Sequence, residues 1–228
     1  MTLNSKRKEP SFIYGAGALA KLLAVSMRGS NRFEPEGFIV DEEYKKSDEL
    51  LGLPVLCFEE FQSKNPAIGN SVFVAIGYRR MRARKEIFDR IRNEGYRCPN
   101  YLFAGARVNE EVVLGEGNIV SDGVILDSFS RVGDNNFFRS NTYISHDCVI
   151  GDHNYFAPSC TVSGNCTVKD QCFFGVGSTL IDGLTVEDET FLSAASTLLS
   201  DTEPHSQYIG YPAKKIREHK ETGIVVKR

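Results

Sequence analysis

The chain has 228 residues, 41% of them hydrophobic and 25% charged, and a formal net charge of −3. That composition suits a soluble globular protein of one large or two small domains, and its bulk charge points to no particular partner. No apolar run reaches the roughly 18 residues of a membrane span, and the polar, basic first eleven residues lead into no apolar run as long as the roughly 7–15 residues of a signal-peptide core, so neither a membrane span nor a signal peptide is expected.

The expected compartment is the cytoplasm, with the six cysteines, which form no CxxC pair, as free thiols. The two parts of the chain differ in charge. Residues 1–100 carry an excess of four basic residues, and residues 101–228 an excess of seven acidic ones. A mildly basic first part suits an anionic ligand such as a nucleotide.

In chain order, Phe12-Ile13-Tyr14 is a short apolar run followed by Gly15-Ala16-Gly17-Ala18-Leu19-Ala20. This fits G-x-G-x-x-A placed after a strand and before a helix. There the glycines permit a tight turn and close backbone approach, and a helix N-terminus can hold a phosphate. A second strand, Gly37-Phe38-Ile39-Val40, ends at Asp41. A third, Ser71–Gly77, leads into the basic run Tyr78-Arg79-Arg80-Met81-Arg82-Ala83-Arg84-Lys85 and a helix reaching about Asn93. Ligands of open α/β sheets lie beyond the C-terminal strand ends, which groups Gly15, Ala16, Gly17, Asp41, Gly77, Tyr78 and Arg82 as candidate nucleotide contacts. The basic run meets a diphosphate there or is a solvated helix face. Nucleic acid is disfavoured, because no aromatic stacking platform accompanies it. Residues 1–100 thus read as a Rossmann-like domain, and Gly95–Asn100 as the link to the next.

From Val108 the residues at intervals of six are Val108, Leu114, Val120, Leu126, Val132, Phe138, Ile144, Ile150, Phe156, Val162, Val168, Phe174, Leu180, Val186, Leu192 and Leu198. All sixteen are large and apolar. Neither helix periodicity nor strand alternation gives a strict six. The residue one step after the apolar one is often Gly, as at Gly115, Gly133, Gly151 and Gly175, which suggests a tight turn at that point. Four steps after it the residues are mostly small, including Cys148, Cys160, Cys166 and Cys172. Cys148 and Cys166, 18 apart, should stack in a crowded corner as small apolar residues rather than as redox or catalytic groups. The pattern resembles the hexapeptide repeat of the left-handed β-helix acyltransferases, in which three short strands make an 18-residue triangular coil. Residues 101–202 would form about five coils, spaced about 4.8 Å apart. The tail 203–228, with Pro204 and Pro212, would cap the stack.

An α/β domain followed by hexapeptide coils resembles the branch of that family containing nucleotide-sugar N-acetyltransferases and sialic-acid O-acetyltransferases of bacterial surface-polysaccharide pathways. The most specific segment is Ile144-Ser-His-Asp-Cys-Val-Ile-Gly-Asp-His-Asn154. The resemblance implies His146 as general base, Asp147 as the acid orienting it, acetyl-CoA as cosubstrate, no metal, and a homotrimer. It implies pantetheine contacts at Gly164, Val176 and Ala194, and places Tyr155 where the family has a second His near the thioester carbonyl. Arg139 stands where the family has an Asn, and Leu19 or Ala18 where it has a glycine-loop His. Ile209-Gly-Tyr-Pro-Ala-Lys214 resembles the G-x-P-A-K segment near the adenine of coenzyme A, which marks Pro212 and Lys214.

The chemistry suits His, which titrates near working pH, takes a proton from the attacking amine or hydroxyl, and returns it to the departing thiolate. Adjacent residues of a regular strand point to opposite faces, so Asp147 reaches His146 only where the chain turns a corner. The reading is therefore acetyl transfer to the amine of a nucleotide-linked deoxysugar, with sugar O-acetylation as its near alternative. Two others remain open. One is a zinc-dependent γ-carbonic-anhydrase-like enzyme, which needs three His ligands where the coils hold only His146 and His153. The other is a non-enzymatic scaffold with a ligand-sensing first domain.

Overall fold

A computed structural model describes residues 8–226. The chain divides into two compact units. One takes the described residues up to Gly77 together with Ile87–Pro99; the other takes Tyr78–Glu86 and the described residues from Asn100 onward. The segment Tyr78–Glu86 thus clusters with the coils and not with the rest of residues 1–100.

The first unit is built on β1 (Glu9–Tyr14), α1 (Ala18–Gly29), β2 (Phe33–Val40), β3 (Glu49–Leu50), β4 (Leu53–Cys57), α2 (Phe58–Lys64) and β5 (Ser71–Val74). A third helix, α3 (Met81–Asn93), contributes its residues from Ile87 on. The sheet order is β3-β4-β2-β1-β5, parallel except for the β3–β4 hairpin. The central strands are apolar on both faces: Phe12, Ile13 and Tyr14 of β1, and Val72, Phe73 and Val74 of β5, are all buried, as a sheet covered on both sides requires. Phe12, Phe58, Phe61, Phe88 and Tyr96 fill one side. The chain order reverses between β1 and β5, which makes their C-terminal ends the topological switch point. The hairpin, β4 and α2 were not legible as elements in the sequence.

The second unit is the left-handed β-helix. Two-residue strands recur every six residues from Tyr101–Leu102 to Thr197–Leu198 and pair in register with partners 18 residues away. They form three parallel sheets. The first sheet holds Phe137–Phe138 and its stack, the second Tyr143–Ile144, and the third Val149–Ile150. From Val120 to Leu198 every sixth residue points inward and is at most 3% exposed. Val108 and Leu114, in the opening coil, are only half-buried, because no coil lies below them. Phe138, Phe156 and Phe174 stack along the axis with centroids 4.9 and 4.6 Å apart.

The turning is not done by the glycines that follow the apolar residues, contrary to expectation. From Gly117 to Ala195 every sixth residue is left-handed, and most of these are not Gly: Phe129, Asn135, Asp147, His153 and Asn165 are examples. Gly133 is small for another reason. A Cβ there would strike the Asp152 carboxylate and come within 2.9 Å of the Gly151 carbonyl. Asp134, Asp152, Asp170 and Asp188 each accept, through Oδ1, the amide of the coil before, at 2.7–2.9 Å. Inside the same corner, Asn118, Asn136 and Asn154 form a buried ladder. Each Oδ1 accepts an amide 18 residues on, and Nδ2 of Asn118 and of Asn136 donates to a carbonyl 15 residues on. The asparagine ladder satisfies corner amides that water cannot reach.

The tail extends the first sheet. Ser206–Gly210 pairs in parallel with Phe191–Leu192 and is hairpinned to Ala213–Glu218. None of the six cysteines is in a disulfide, and Cys148 Sγ donates to the Ser163 carbonyl at 3.2 Å. No helix among the described residues is long and apolar enough to cross a membrane.

Candidate active site

His146 follows the strand Tyr143–Ile144 and opens the corner between the second and third sheets. Asp147 occupies the left-handed corner position, with φ 56°. The corner swings its side chain back to the side of its neighbour, so that His146 Nδ1 lies 2.9 Å from Asp147 Oδ2. A carboxylate only accepts, so Nδ1 carries the hydrogen, and the neutral ring presents its lone pair at Nε2. Both side chains are about half exposed.

The surrounding coils complete the setting. Directly above His146 stands Gly164, where a Cβ would fall 2.8 Å from Cε1 and 2.9 Å from Nε2 of the imidazole. The ring therefore lies against bare backbone. In the coil below, Asp127 Oδ1 accepts from Asn109 Nδ2 at 2.6 Å and the Ser128 amide at 2.9 Å, and Oδ2 accepts from the Tyr143 hydroxyl at 3.0 Å. The Ser128 amide, the Tyr143 hydroxyl, Asn109 and the nearby imidazole together hold the Asp127 carboxyl below the usual carboxylate range. Asp127 was not singled out in the sequence; its column of polar partners exists only once coils stack.

The other candidates fall in several places. Gly164 has its amide occupied by Asp182 Oδ1 at 2.8 Å, so as it stands this amide is not free to hold a pantetheine arm. Val176 and Ala194 stack on the corner between the first and second sheets, and their amides find no acceptor among the described residues. Tyr155 is on the outer side of the first sheet, 4% exposed and stacked on Phe173 at 5.5 Å. That sheet is the face opposite the corner of His146, so within one chain Tyr155 does not line the space around the imidazole. Pro212 is exposed in the turn of the tail hairpin, and Lys214 is exposed on the strand that follows it, paired with Ile209.

In the first unit, Gly15 has φ 117°, and a Cβ would meet the Ala75 carbonyl at 2.9 Å, so only glycine fits between β1 and β5. Gly17 is the N-cap of α1 and a Cβ there would meet nothing within 4 Å, which leaves the helix N-terminus open beyond Gly15 and Ala16. Asp41 follows β2, and its Oδ1 accepts from the Tyr14 hydroxyl at 2.6 Å and Arg90 Nη2 at 2.7 Å. Arg90 lies 4.4 Å over the Phe58 ring. One Asp41 oxygen is thus taken, and Oδ2 has no partner among the described residues. Gly77 closes the segment after β5.

Tyr78 and Arg82 belong to the second unit. Tyr78 packs against Tyr155 and Phe173 with tilted rings, centroids 4.8 and 5.4 Å apart. Arg82 forms a two-pronged pair with Glu189 at 2.6 and 2.9 Å and donates to the carbonyls of Lys220 and Glu221. Arg82, expected as a diphosphate contact, here has its guanidinium engaged between the coils and the tail. Among the described residues no three His, Cys, Asp or Glu side chains converge to hold a metal ion. His146 and His153 sit on different corners, and Asn135 Nδ2 donates to the buried His153 ring at 2.9 Å.

Residues 129–164 match the model of the bacterial transferase hexapeptide family (six repeats). No curated protein sequence matches. Among solved structures, the chain is similar to PerB from Caulobacter crescentus, determined in complex with CoA and GDP-perosamine. The identity is 28%, with 91% of this chain and 97% of that one covered, and a TM-score of 0.82. It shares its fold with WeeI from Acinetobacter baumannii AYE (24% identity, 90% and 99% covered, TM-score 0.81). The same holds for the acetyltransferase domain of PglB from Neisseria gonorrhoeae FA1090 (19%, 92% and 100%, TM-score 0.82). The chain thus resembles hexapeptide-repeat nucleotide-sugar acetyltransferases over nearly its whole length.

Proposed function

We propose that this chain is an acetyl-CoA-dependent N-acetyltransferase whose acceptor is the amino group of a nucleotide-linked deoxysugar, with His146 as general base. The observation that carries the mechanism is the His146–Asp147 pair at 2.9 Å at a corner of the coil, with both side chains about half exposed. Likeness over 91% of the chain to PerB, solved with CoA and GDP-perosamine, supports the two substrates.

In the reaction the acceptor nitrogen, as free amine, attacks the acetyl carbonyl carbon. The C–N bond forms, the C–S bond breaks, and the nitrogen's surplus proton passes to His146 Nε2. Asp147 stabilises the resulting imidazolium through Nδ1–H, and the imidazolium then protonates the leaving thiolate. The open α1 N-terminus beyond Gly15 offers backbone amides for the acceptor's diphosphate. The unpartnered amides of Val176 and Ala194 offer two donors to the pantetheine arm. The chain works as a homotrimer in bacterial surface-polysaccharide synthesis. Hydroxyl acceptors are the second reading, since the same base would serve them.

The test measures thiol release from acetyl-CoA with a panel of nucleotide amino sugars and their hydroxyl counterparts. Transfer to an amine acceptor, falling about 10²–10⁴-fold in kcat/KM in His146→Ala, is the expected result. A variant within threefold of wild type removes His146 from the mechanism.

A further inference from the structure

The left-handed corner residues from Gly117 to Ala195 are small or polar with one exception. The exception is Phe129, with φ 66°. A left-handed backbone is unfavourable for a bulky side chain, and this ring is also 63% exposed. One residue thus combines a strained backbone with apolar surface left in water, and the fold gains little packing from the ring in return.

Register fixes its place. Leu126 pairs with Ile144 and Arg131 with Val149, so Phe129 lies directly beneath Asp147, one coil spacing of about 4.8 Å away. The Asp147 amide donates to the Ser128 carbonyl at 3.3 Å, which ties the two corners together. Both residues are left-handed, at φ 66° and 56°, so their side chains leave the backbone in nearly the same direction. Asp147 reaches His146 from this corner, and the Phe129 ring starts from the same side one coil lower. Polar groups surround it. Glu111 lies beneath it in the same column, and the Asp127 carboxylate, two residues before, is held by the Ser128 amide at 2.9 Å. On the third sheet beside the corner, exposed Arg131 separates Val113 from Val149, so no continuous apolar patch runs on from the ring.

A subunit interface calls for a contiguous apolar patch. A single exposed ring among carboxylates and a histidine suits a sugar. Sugar hydroxyls bond the polar groups, while the slightly positive C–H bonds of the other face lie against the electron-rich face of the ring. We infer that Phe129 is a specificity-determining residue, whose ring carries the apolar face of the acceptor sugar while the sugar's amine meets His146. The inference rests on the reading of the protein as a nucleotide-sugar acetyltransferase and names the side chain that favours a deoxysugar. A carbon bearing hydrogen or methyl in place of hydroxyl leaves no polar group to be desolvated against the ring.

The probes are GDP-, UDP- and dTDP-linked 4-amino-6-deoxysugars and the matching nucleoside diphosphates. Binding is measured by titration calorimetry and transfer by thiol release from acetyl-CoA. Phe129→Asn places at this corner the residue found at Asn135, Asn141 and Asn165, which tolerates the left-handed backbone. Its ligand-free melting temperature is therefore unchanged or higher, which separates lost binding from lost folding. Its KM for the amino-sugar substrate rises at least tenfold, while its KM for acetyl-CoA and its affinity for the nucleoside diphosphate stay within twofold. Phe129→Tyr, which keeps the ring face, stays within threefold of wild type. A sugar KM within twofold of wild type in Phe129→Asn overturns the inference and leaves the acetyltransferase reading standing. A changed sedimentation coefficient in Phe129→Asn also overturns it, because the ring would then be a subunit contact. If wild type binds a probe sugar more tightly than its nucleoside diphosphate and Phe129→Asn loses that difference, but no acetyl group is transferred, the sugar contact stands and the acetyltransferase reading falls.

Discussion

Gly164→Ala tests the base without touching it. The new Cβ would lie 2.8 Å from Cε1 and 2.9 Å from Nε2 of His146, where ordinary contact begins at 3.4 Å. The ring must therefore retreat by about 0.6 Å at least, or turn away. A displacement near 1 Å at a reacting group costs about 10²-fold, so kcat/KM should fall about 10–100-fold. Stability should hardly change. Gly164 is not in a left-handed conformation, the imidazole is 55% exposed and free to move, and the Gly-to-Ala exchange restricts the unfolded chain, worth about 0.4–1 kcal/mol where no strain arises. The assay pairs steady-state kinetics with thermal unfolding. Activity within threefold of wild type would refute the reasoning, because the ring would then not need the place it occupies. A large drop in melting temperature would refute it too, because backbone strain would then be the cause.

Asp147→Asn should fold normally, since Asn accepts φ 56°, yet lower kcat roughly tenfold or more by removing the charge that stabilises the imidazolium, as a kcat-against-pH profile would show. Phe156→Ala empties a fully buried place between two stacked rings and should cost about 3–5 kcal/mol by denaturant unfolding. Acid should loosen the tail through two groups. Burial holds His219 below its ordinary 6.5, so the unfolded chain takes up that proton first, and stability is lost as pH falls from 6.5 through the folded value. Burial opposes the charge on Glu189, but the bonds from Arg82 and His205 outweigh it and keep the carboxyl below its ordinary 4.5. Its contribution is therefore present above pH 4.5 and lost as pH falls through the folded value. In Glu189→Gln the decline of melting temperature below pH 4.5 should be shallower than in wild type.

The sequence determined the coil by itself. A strict period of six in large apolar residues has one physical solution, inward knobs on a three-sided prism, and the buried stack from Val120 to Leu198 follows that period residue by residue. It also marked Gly15, which nothing but glycine can replace against the Ala75 carbonyl. What it could not show depends on neighbours 18 residues away. The glycines after the knobs look like turn formers, yet Gly133 is small because Asp152 leans over it from the next coil, and the turning falls to left-handed residues such as Asp147 and His153. The basic run 79–85 looks uniform, yet Arg82 finds Glu189 and Arg84 is buried against corner carbonyls. The adjacency of His146 and Asp147 was visible as letters. Whether they touch depended on the corner, because only a reversal of the strand's alternation brings two consecutive side chains to the same side.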